Sequence, residues 1–244
     1  MAPSVLMGII TPVGKLERRA LLRSVYRASS HPNVTVRFVI GRPKNEDEAI
    51  LVALEKAAYN DIMELAIDEN MDEGKTYHYF QHVARNEPRY DYVMKTDDDV
   101  FVNVTNLERS LRPLPREFLY YGYRAGPEEW LGWMSGMGYV LSWDSVAWLV
   151  DYQPKTIVGH EDLLMGVWLD EGGRRKNLVR DECLFYQQPN RKGESKMHGY
   201  IDETIVVHGI KDDLDWKEAL RFFFGSLPAG GKQGPSVPQR SWFS

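Results

Sequence analysis

Cysteine is almost absent from this sequence of 244 residues, in which Cys183 is the single thiol. One cysteine excludes an intrachain disulfide framework and a multi-cysteine zinc site. A basic excess is also missing, because 35 acidic side chains outnumber 30 lysines and arginines and the net charge is −5. This balance argues against a general nucleic-acid binder, which carries an excess of positive charge.

Long apolar runs are missing as well. No stretch approaches the ~20 residues that cross a bilayer, and the first residues lack the basic and apolar regions of a signal peptide. We therefore expect no membrane span and no signal peptide in this chain. A hydrophobic fraction of 43% nevertheless supplies a core and excludes global disorder. The length predicts one α/β domain over residues 1–225, followed by a disordered tail at 226–244 that is rich in glycine, proline, serine and glutamine.

Short apolar or β-branched segments alternate with amphipathic ones, which predicts strands alternating with helices. Such alternation indicates an α/β fold with a mostly parallel sheet and right-handed crossovers. The predicted strands are Val5–Ile10, Val34–Ile40, Asp61–Leu65, Tyr90–Met94 and Thr204–Val207, with further strands and a loop across residues 118–141. The predicted helices are Glu17–Ala28, Glu46–Ala58, Asp72–Arg85, Trp143–Asp151, Glu161–Glu171 and Asp213–Phe224, with one more short helix that begins at a capping box of Thr105 and Glu108.

Three adjacent carboxylates, Asp97, Asp98 and Asp99, follow the predicted strand Tyr90–Met94. Like charges repel, so a fold that places them together at a strand end needs a compensating cation. Ligands bind at the carboxyl ends of strands in open parallel sheets, and carboxylate oxygens suit Mg²⁺ or Mn²⁺. The alternative is a solvated acidic turn. Apolar segments on both sides of the triplet, YDYVM and VFV, favour the metal site.

The block KTDDDVFVN at residues 95–103 resembles the K-x-DDD-x-FVN motif of glycosyltransferase family 31, the β-1,3-galactosyl- and N-acetylglucosaminyltransferases. Further blocks follow the order of that family: RRALLR at 18–23, YNDI at 59–62, KT at 75–76, GMGYVLS at 136–142 and ED with a later glycine at 161–166. Each block alone is a weak signal, whereas the whole series in the right order across residues 5–210 is specific.

The resemblance implies a GT-A fold, which is a Rossmann-like mixed, mostly parallel sheet flanked by helices. The nucleotide-binding half is expected at about residues 1–105 and the acceptor half at about 106–225. The implied reaction is an inverting transfer of galactose or N-acetylglucosamine from a UDP-sugar to a hydroxyl of a carbohydrate or glycoconjugate acceptor. The bond formed in the product is expected to be β-1,3. The implied cofactor is Mn²⁺ or Mg²⁺, and the implied location is the Golgi lumen or the secretory pathway.

Animal members of the family carry an N-terminal membrane anchor and several cysteines, whereas we expect no anchor in this chain and its sequence has a single cysteine. Two interpretations stay open. The chain is either a truncated or soluble form, or a member of a divergent, fungal-type branch.

Charge builds up on the departing diphosphate, and a divalent cation neutralises it. Within the frame of the family, the metal-ligand candidates are Asp99, His208 and Asp97, and the candidates for donor binding are Arg23, Arg19, Asp61, Lys75, Asp97 and Asp98. A structural role is the alternative for the histidine, and a solvated helix face is the alternative for the basic side chains.

Inversion requires one base, which takes the proton of the acceptor hydroxyl while its oxygen attacks C1 of the sugar. Asp162 is the leading candidate and Glu161 is the second, at the start of the predicted helix Glu161–Glu171. A carboxylate at that position also stabilises the helix dipole, which is the alternative explanation for both residues. We expect the dipole to hold the pKa of Asp162 low.

Aromatic side chains and glycines recur together around residues 130–139. Aromatic rings present apolar faces to the C–H side of sugars, and glycine lets a substrate approach closely. The candidates for acceptor binding are therefore Trp133, Gly136 and Gly138, with Trp130 beside them, although core packing is the alternative for the aromatic residues. A loop at residues 193–199 is expected near the acceptor.

Two other functions stay open. The chain is consistent with a different GT-A enzyme, such as a retaining glycosyltransferase or a nucleotidyltransferase, but the latter needs a glycine-rich phosphate loop and the segment 9–15 has a single glycine. It is also consistent with a non-catalytic domain that binds nucleotide or sugar without turnover.

Overall fold

A computed structural model describes residues 2–126, 132–188 and 199–225. Trp130, most of the predicted loop at 193–199 and the tail 226–244 lie outside these residues. The strands are β1 Val5–Ile10, β2 Val34–Arg42, β3 Ile62–Asp68, β4 Tyr92–Asp97, β5 Val100–Val102, β6 Leu119–Ala125, β7 Trp133–Ser142, β8 Asn177–Arg180, β9 Phe185–Gln187 and β10 Val206–His208. The helices are α1 Leu16–Ala28, α2 Glu46–Tyr59, α3 Lys75–Asn86, α4 Val104–Leu111, α5 Trp143–Trp148, α6 Glu161–Glu171 and α7 Asp213–Phe224.

The main sheet has the strand order β3-β2-β1-β4-β7-β6-β8. Strands β1 to β4 are mutually parallel where they pair, and β7 runs antiparallel to both β4 and β6. The predicted α/β class with a mostly parallel sheet flanked by helices is thereby confirmed. The strand order reverses between β1 and β4, where Ile10 lies opposite Asp97. Ligands bind at the carboxyl ends of the strands at such a switch point, so the sheet places the acidic triplet at its natural binding edge.

Apolar side chains cover both faces of this sheet. One core cluster includes residues of α1, α4 and α7, and the other includes residues of α3, α5 and α6. Alternate residues of β1 enter the two clusters, because successive side chains of a strand point to opposite faces. The central strands are buried along their length, which explains their continuous rather than alternating apolar sequence.

A second, three-stranded sheet has the order β5-β10-β9. In it, β10 runs antiparallel to β5 and parallel to β9. The pairing places His208 opposite Val100 of β5 and opposite Gln187 of β9. Residues that are far apart in the sequence therefore meet beside Asp99. Sequence analysis predicted β10 but neither β8 nor β9, which are only four and three residues long.

Two local predictions are wrong. The capping box of Thr105 and Glu108 does not form, because Asn103 caps α4 and its Oδ1 accepts the N–H of Asn106 at 3.2 Å. Glu108 instead pairs with Arg112. Helix α3 begins at Lys75, three residues later than predicted, after Gly74 with its positive φ of +89°. Across the described ranges 2–126, 132–188 and 199–225, the helices lack the combination of length and apolar character that a bilayer crossing demands.

Candidate active site

The three carboxylates of the triplet have different surroundings. Asp98 is buried and accepts a hydrogen bond from Thr11 Oγ1 at 2.8 Å, while its other oxygen lies 3.2 Å from Lys15 Nζ. Both oxygens of Asp98 are therefore engaged by the segment that follows β1. This arrangement supports a role for Asp98 in holding that segment, whereas the predicted direct contact with a donor would require these bonds to be exchanged.

Asp97 and Asp99 point instead toward His208. One ligand atom from each of the three side chains lies within 4.8 Å of the others, so they could hold a metal ion. The Nε2 atom of His208 lies 3.6 Å from Asp99 Oδ1. All three side chains are about a quarter exposed, which leaves room for ligands from solvent or substrate. Two carboxylates and one imidazole form a donor set that suits Mn²⁺ or Mg²⁺, and the residues present thus fit the implied cofactor.

Burial favours the neutral form of His208. It lowers the pKa of His208 below the ordinary value, against the opposing effect of Asp99. The Nδ1 atom of His208 lies 2.5 Å from Oε1 of Gln187. A neutral imidazole is the form that binds a metal, so the protonation state is the one that the candidate site requires.

Lys95 lies at the centre of the site and is fully buried. Its Nζ is 3.0 Å from Asp97 Oδ1, 2.5 Å from Glu161 Oε1 and 3.5 Å from Asp162 Oδ1. Burial alone would lower the pKa of Lys95, but the surrounding carboxylates raise it well above the ordinary value. Lys95 is therefore a permanent cation that connects the metal-ligand candidates on β4 with the base candidates on α6.

Burial also raises the pKa of Asp97, to about 7, because the neighbouring carboxylates of Glu161 and Asp162 add to desolvation and outweigh the attraction of Lys95. In the absence of a further cation, the cluster of Asp97, Glu161 and Asp162 therefore carries more negative charge than Lys95 alone stabilises. An additional positive charge beside Asp97 would relieve this imbalance.

The two base candidates on α6 differ in their contacts. Glu161 is held through both oxygens, one by Lys95 and the other by the hydroxyl of Thr76, which donates a short hydrogen bond. Asp162 is buried, and its Oδ1 accepts no hydrogen bond from any residue that the structure describes. Lys95 pairs with this oxygen at 3.5 Å, but Asp162 is less tightly held than Glu161 and is therefore the better candidate to accept a proton.

The expectation of a low pKa for Asp162 is wrong. Burial raises the pKa of Asp162 above the ordinary value, and the charge of Glu161 adds to the increase, while Lys95 opposes it. A helix terminus acts through fractional charges that are worth at most ~2 kcal/mol, and here the desolvation of the carboxylate is the larger effect.

The glycines of β7 make room for other groups. A Cβ atom at Gly136 would lie 2.6 Å from Asp162 Oδ2, so a side chain there would displace the carboxylate. A Cβ atom at Gly138 would instead lie 2.7 Å from the side chain of Met94 in the core. Gly136 thus borders the base candidate, whereas the contacts of Gly138 support packing between β7 and β4 rather than acceptor binding.

Trp133 lies at the start of β7, half-buried, with its ring centroid 6.0 Å from that of His160. His160 caps α6, the helix that carries both base candidates. Trp133 also packs against α6 at Gly166, where an added Cβ atom on the glycine would lie 2.8 Å from the Cβ of Trp133. The predicted acceptor residue Trp133 therefore lies on the side of the site where Asp162 is located.

The basic residues predicted for the donor are mostly engaged within the protein. The guanidinium of Arg19 is buried, donates to the carbonyls of Pro12 and Val13, and lies 2.6 Å from Glu55. Lys75 is also fully buried, and its Nζ contacts Glu69 and the carbonyl of Thr11. Both side chains hold the segment after β1 through its carbonyl groups. These contacts support an indirect role, in which the two residues fix the position of that segment, more than direct contact with the donor.

Arg23 lies 2.6 Å from Glu55 and donates to both oxygens of Asp61. Both Arg23 and Asp61 line a cavity of about 220 Å³ to which the acidic triplet does not contribute. The structure thus separates this pair from Asp97 and Asp98, which were also predicted to bind the donor.

Sequence analysis assigned no role to Lys95, Thr76 or Gln187. The sequence held one signal for Lys95. Residues 95 and 97 are two positions apart on β4, so Lys95 and Asp97 point to the same face of the sheet. The contacts of Thr76 and Gln187 depend on α6 and β10, which only the fold brings near.

Comparisons with known proteins show which proteins this chain resembles. The family profile described as galactosyltransferase matches residues 17–125. The β-1,3-galactosyltransferase pvg3 of Schizosaccharomyces pombe is 26% identical over 268 aligned positions, which cover 84% of this chain and 70% of that protein. The lactosylceramide 1,3-N-acetyl-β-D-glucosaminyltransferase A of Xenopus laevis is 27% identical over 170 positions, which cover 59% of this chain and 43% of that protein.

Among solved structures, the galactosyltransferase LgtC in complex with donor and acceptor sugar analogues superimposes with a TM-score of 0.51 at 12% identity, covering 93% of this chain and 98% of that one. At this identity, the likeness shows a shared GT-A fold and no more.

Proposed function

We propose that this chain, which resembles the galactosyltransferase family and has a GT-A fold, transfers a hexose from a UDP-sugar to a sugar hydroxyl with inversion at C1. The proposed hexose is galactose or N-acetylglucosamine, and the proposed product bond is β-1,3. The proposed acceptor is a carbohydrate or glycoconjugate, and the proposed location is the Golgi or another part of the secretory pathway. Both rest on the same similarity to known transferases.

One observation carries the proposal. Lys95 Nζ contacts Asp97, one of three residues that could hold a divalent cation, and also Asp162, whose Oδ1 accepts no hydrogen bond from a described residue. An inverting transferase needs a cation site and a base close together, because the leaving group and the attacking hydroxyl meet at C1 from opposite faces of the sugar.

Asp97, Asp99 and His208 would hold Mn²⁺ or Mg²⁺ on the donor side. When bound, such a cation supplies charge neutralisation for the diphosphate as the bond between C1 and its oxygen breaks. On this side, Asp98, Arg19 and Lys75 hold the segment after β1 in place. Arg23 and Asp61 remain proposed donor residues, with the cavity that both of them line as the place of contact.

Asp162 acts as the general base on the acceptor side. The acceptor oxygen forms a new bond to C1 and passes its proton to the carboxylate of Asp162, while the electron pair of the broken bond leaves with UDP. A raised pKa strengthens a carboxylate as a base, and Lys95 keeps it charged before the acceptor binds. Glu161 is the weaker candidate because both of its oxygens are engaged. Trp133 and Gly136 border the proposed acceptor position.

A donor screen tests the proposal. Release of UDP is measured for a panel of UDP-hexoses with a sugar acceptor, with Mn²⁺ and with a chelator. We expect turnover of one or two donors in the presence of Mn²⁺ and little with the chelator. Asp162→Asn should lower kcat by roughly 10²–10⁴-fold and keep UDP binding, since the amide cannot take the proton.

Asp170→Asn is the matched control, because Asp170 lies on the same helix and is exposed. This variant should transfer sugar at the rate of the wild type. Binding of UDP without turnover of any donor would support the alternative of a non-catalytic binding domain. Full activity of Asp162→Asn would contradict the assignment of the base.

A further inference from the structure

Gln187 contacts the candidate metal ligand His208 from the neighbouring strand. The two residues are opposite each other in the parallel pair of β9 and β10. The Nδ1 atom of His208 lies 2.5 Å from Gln187 Oε1. Neither the reaction as proposed nor the metal set assigns a role to this glutamine.

The orientation of the Gln187 carboxamide follows from its other end. Its Nε2 donates to the carbonyl of Gln188 at 3.3 Å, so its Oε1 is the atom that faces His208. An amide oxygen can only accept a hydrogen bond, and Nδ1 of His208 must therefore be the donor. In a neutral imidazole the proton then lies on Nδ1, and Nε2 carries a lone pair.

That lone pair faces a carboxylate. His208 Nε2 lies 3.6 Å from Asp99 Oδ1, and without a proton between them the two atoms are both acceptors. A cation placed between Nε2 and the carboxylates of Asp97 and Asp99 satisfies all three groups. The hydrogen bond from Nδ1 thus selects the tautomer that can bind a metal.

Gly209 leaves room for the glutamine. Its φ is +81°, and a Cβ atom there would lie 2.6 Å from Gln187 Nε2. A side chain at this position would push the carboxamide away from His208. The residue after the candidate ligand is therefore compatible with the contact only because it is glycine.

We propose that Gln187 is a positioning residue that holds His208 in its Nδ1–H tautomer and directs Nε2 toward the divalent cation. The inference rests on the metal site of the proposed function and extends it to a residue that does not touch the metal. Hydrogen bonds from the second ring nitrogen to an oxygen typically contribute 10- to 100-fold to metal affinity.

Two measurements test the inference. In the metal-free protein, ¹⁵N chemical shifts of the histidine ring, assigned by comparison with His208→Ala, report the tautomer. We expect Nδ1–H for the wild type. In a titration of MnCl₂ followed by electron paramagnetic resonance with excess UDP, Gln187→Leu should bind Mn²⁺ at least ~10-fold more weakly, with a mixture of tautomers. Gln187→Glu keeps an acceptor for Nδ1–H and should retain the tautomer and most of the affinity.

Gln81→Leu is the matched control, because Gln81 is a buried glutamine on α3 whose carboxamide donates to the carbonyl of Leu149. The control should lose stability without losing affinity for Mn²⁺. A wild-type Nε2–H tautomer would overturn the inference even if Gln187→Leu failed to fold, and so would equal affinity of Gln187→Leu and wild type. If the wild type and His208→Ala were equally unable to bind Mn²⁺ with UDP, the metal site itself would be wrong.

Discussion

Replacement of Lys95 by methionine removes the cation on which three carboxylates converge. Methionine has nearly the length and volume of the lysine side chain, so the substitution leaves the packing of β4 nearly unchanged and isolates the charge. Lys95 is fully buried, and its carboxylate partners are 11–25% exposed. Breaking a buried ion pair by removal of one partner costs about 3–5 kcal/mol, and we expect a loss of free energy of unfolding in that range for the metal-free protein near neutral pH.

The loss should depend on pH with a definite sign. Burial raises the pKa of Asp97 to about 7 and raises that of Asp162 above its ordinary value even with Lys95 present. Without the lysine both pKa values rise further, so the folded variant binds more protons than the unfolded chain. Stability then decreases as pH rises, and the difference from the wild type should be largest above about pH 8 and should shrink toward about pH 5, between the folded and unfolded values.

Urea denaturation at several pH values measures both effects. Lys56→Met is the control, because Lys56 forms an ion pair with Glu64 in which both partners are substantially exposed, and such pairs contribute about 0–1 kcal/mol. Equal losses for the two variants, or a loss at Lys95 that grows as pH falls, would refute the electrostatic account of the site. Added Mn²⁺ with UDP should restore part of the stability of the Lys95 variant.

Two further predictions concern the surroundings of the site. Glu55→Gln leaves the buried Arg19 without its anionic partner and leaves Arg23 paired with Asp61 alone, and it should lower the free energy of unfolding by about 3 kcal/mol. Desolvation raises the pKa of Glu55, but the hydrogen bonds and charges of the two arginines together lower it below the ordinary value, so the difference from the wild type should diminish as pH falls below that value. A constant difference in thermal or urea denaturation would contradict this. Gly136→Ala should displace Asp162 and lower kcat at least ~10-fold with little change in UDP binding. Gly14→Ala is its control, because no atom of a described residue other than its chain neighbours lies within 4 Å of the added Cβ, and it should be near wild type in the same transfer assay. Equal rates for both variants would contradict the contact between Gly136 and Asp162.

Local patterns were sufficient for much of the sheet. The segment Val5–Ile10 is apolar throughout, and the structure buries every residue of it as a central parallel strand. The helix predicted at Asp213–Phe224 has the observed bounds, because Asp212 caps it through two backbone N–H groups and Gly225 ends it. Such signals lie within one turn of chain, where propensity and capping decide the outcome.

Pairings between elements were beyond the reach of those patterns. The arginines of α1 were expected at the donor, but Glu55 comes from α2 and engages both Arg19 and Arg23. The strand β9 is too short for a period to appear, although it carries Gln187. The pKa of Asp162 was misjudged for a related reason, since the helix terminus is visible in the sequence and the burial of the carboxylate is a property of the tertiary fold.

The site itself was predicted by two kinds of information. The triplet after an apolar strand indicated a cation site on physical grounds, and the strand order of the sheet places it at the binding edge. His208 and Asp162 entered only through the resemblance to a family, because no spacing in the sequence connects residues 97, 162 and 208. The fold connects them through β10 and through Lys95.

The position of manganese tests the central claim most directly. In crystals of this protein grown with MnCl₂ and UDP, the anomalous signal of manganese locates the ion without assumptions about ligands. We predict one strong peak in contact with carboxylate oxygens of Asp97 and Asp99 and with Nε2 of His208. Bound UDP with no manganese peak at these residues, or a peak that contacts none of them, would contradict the account.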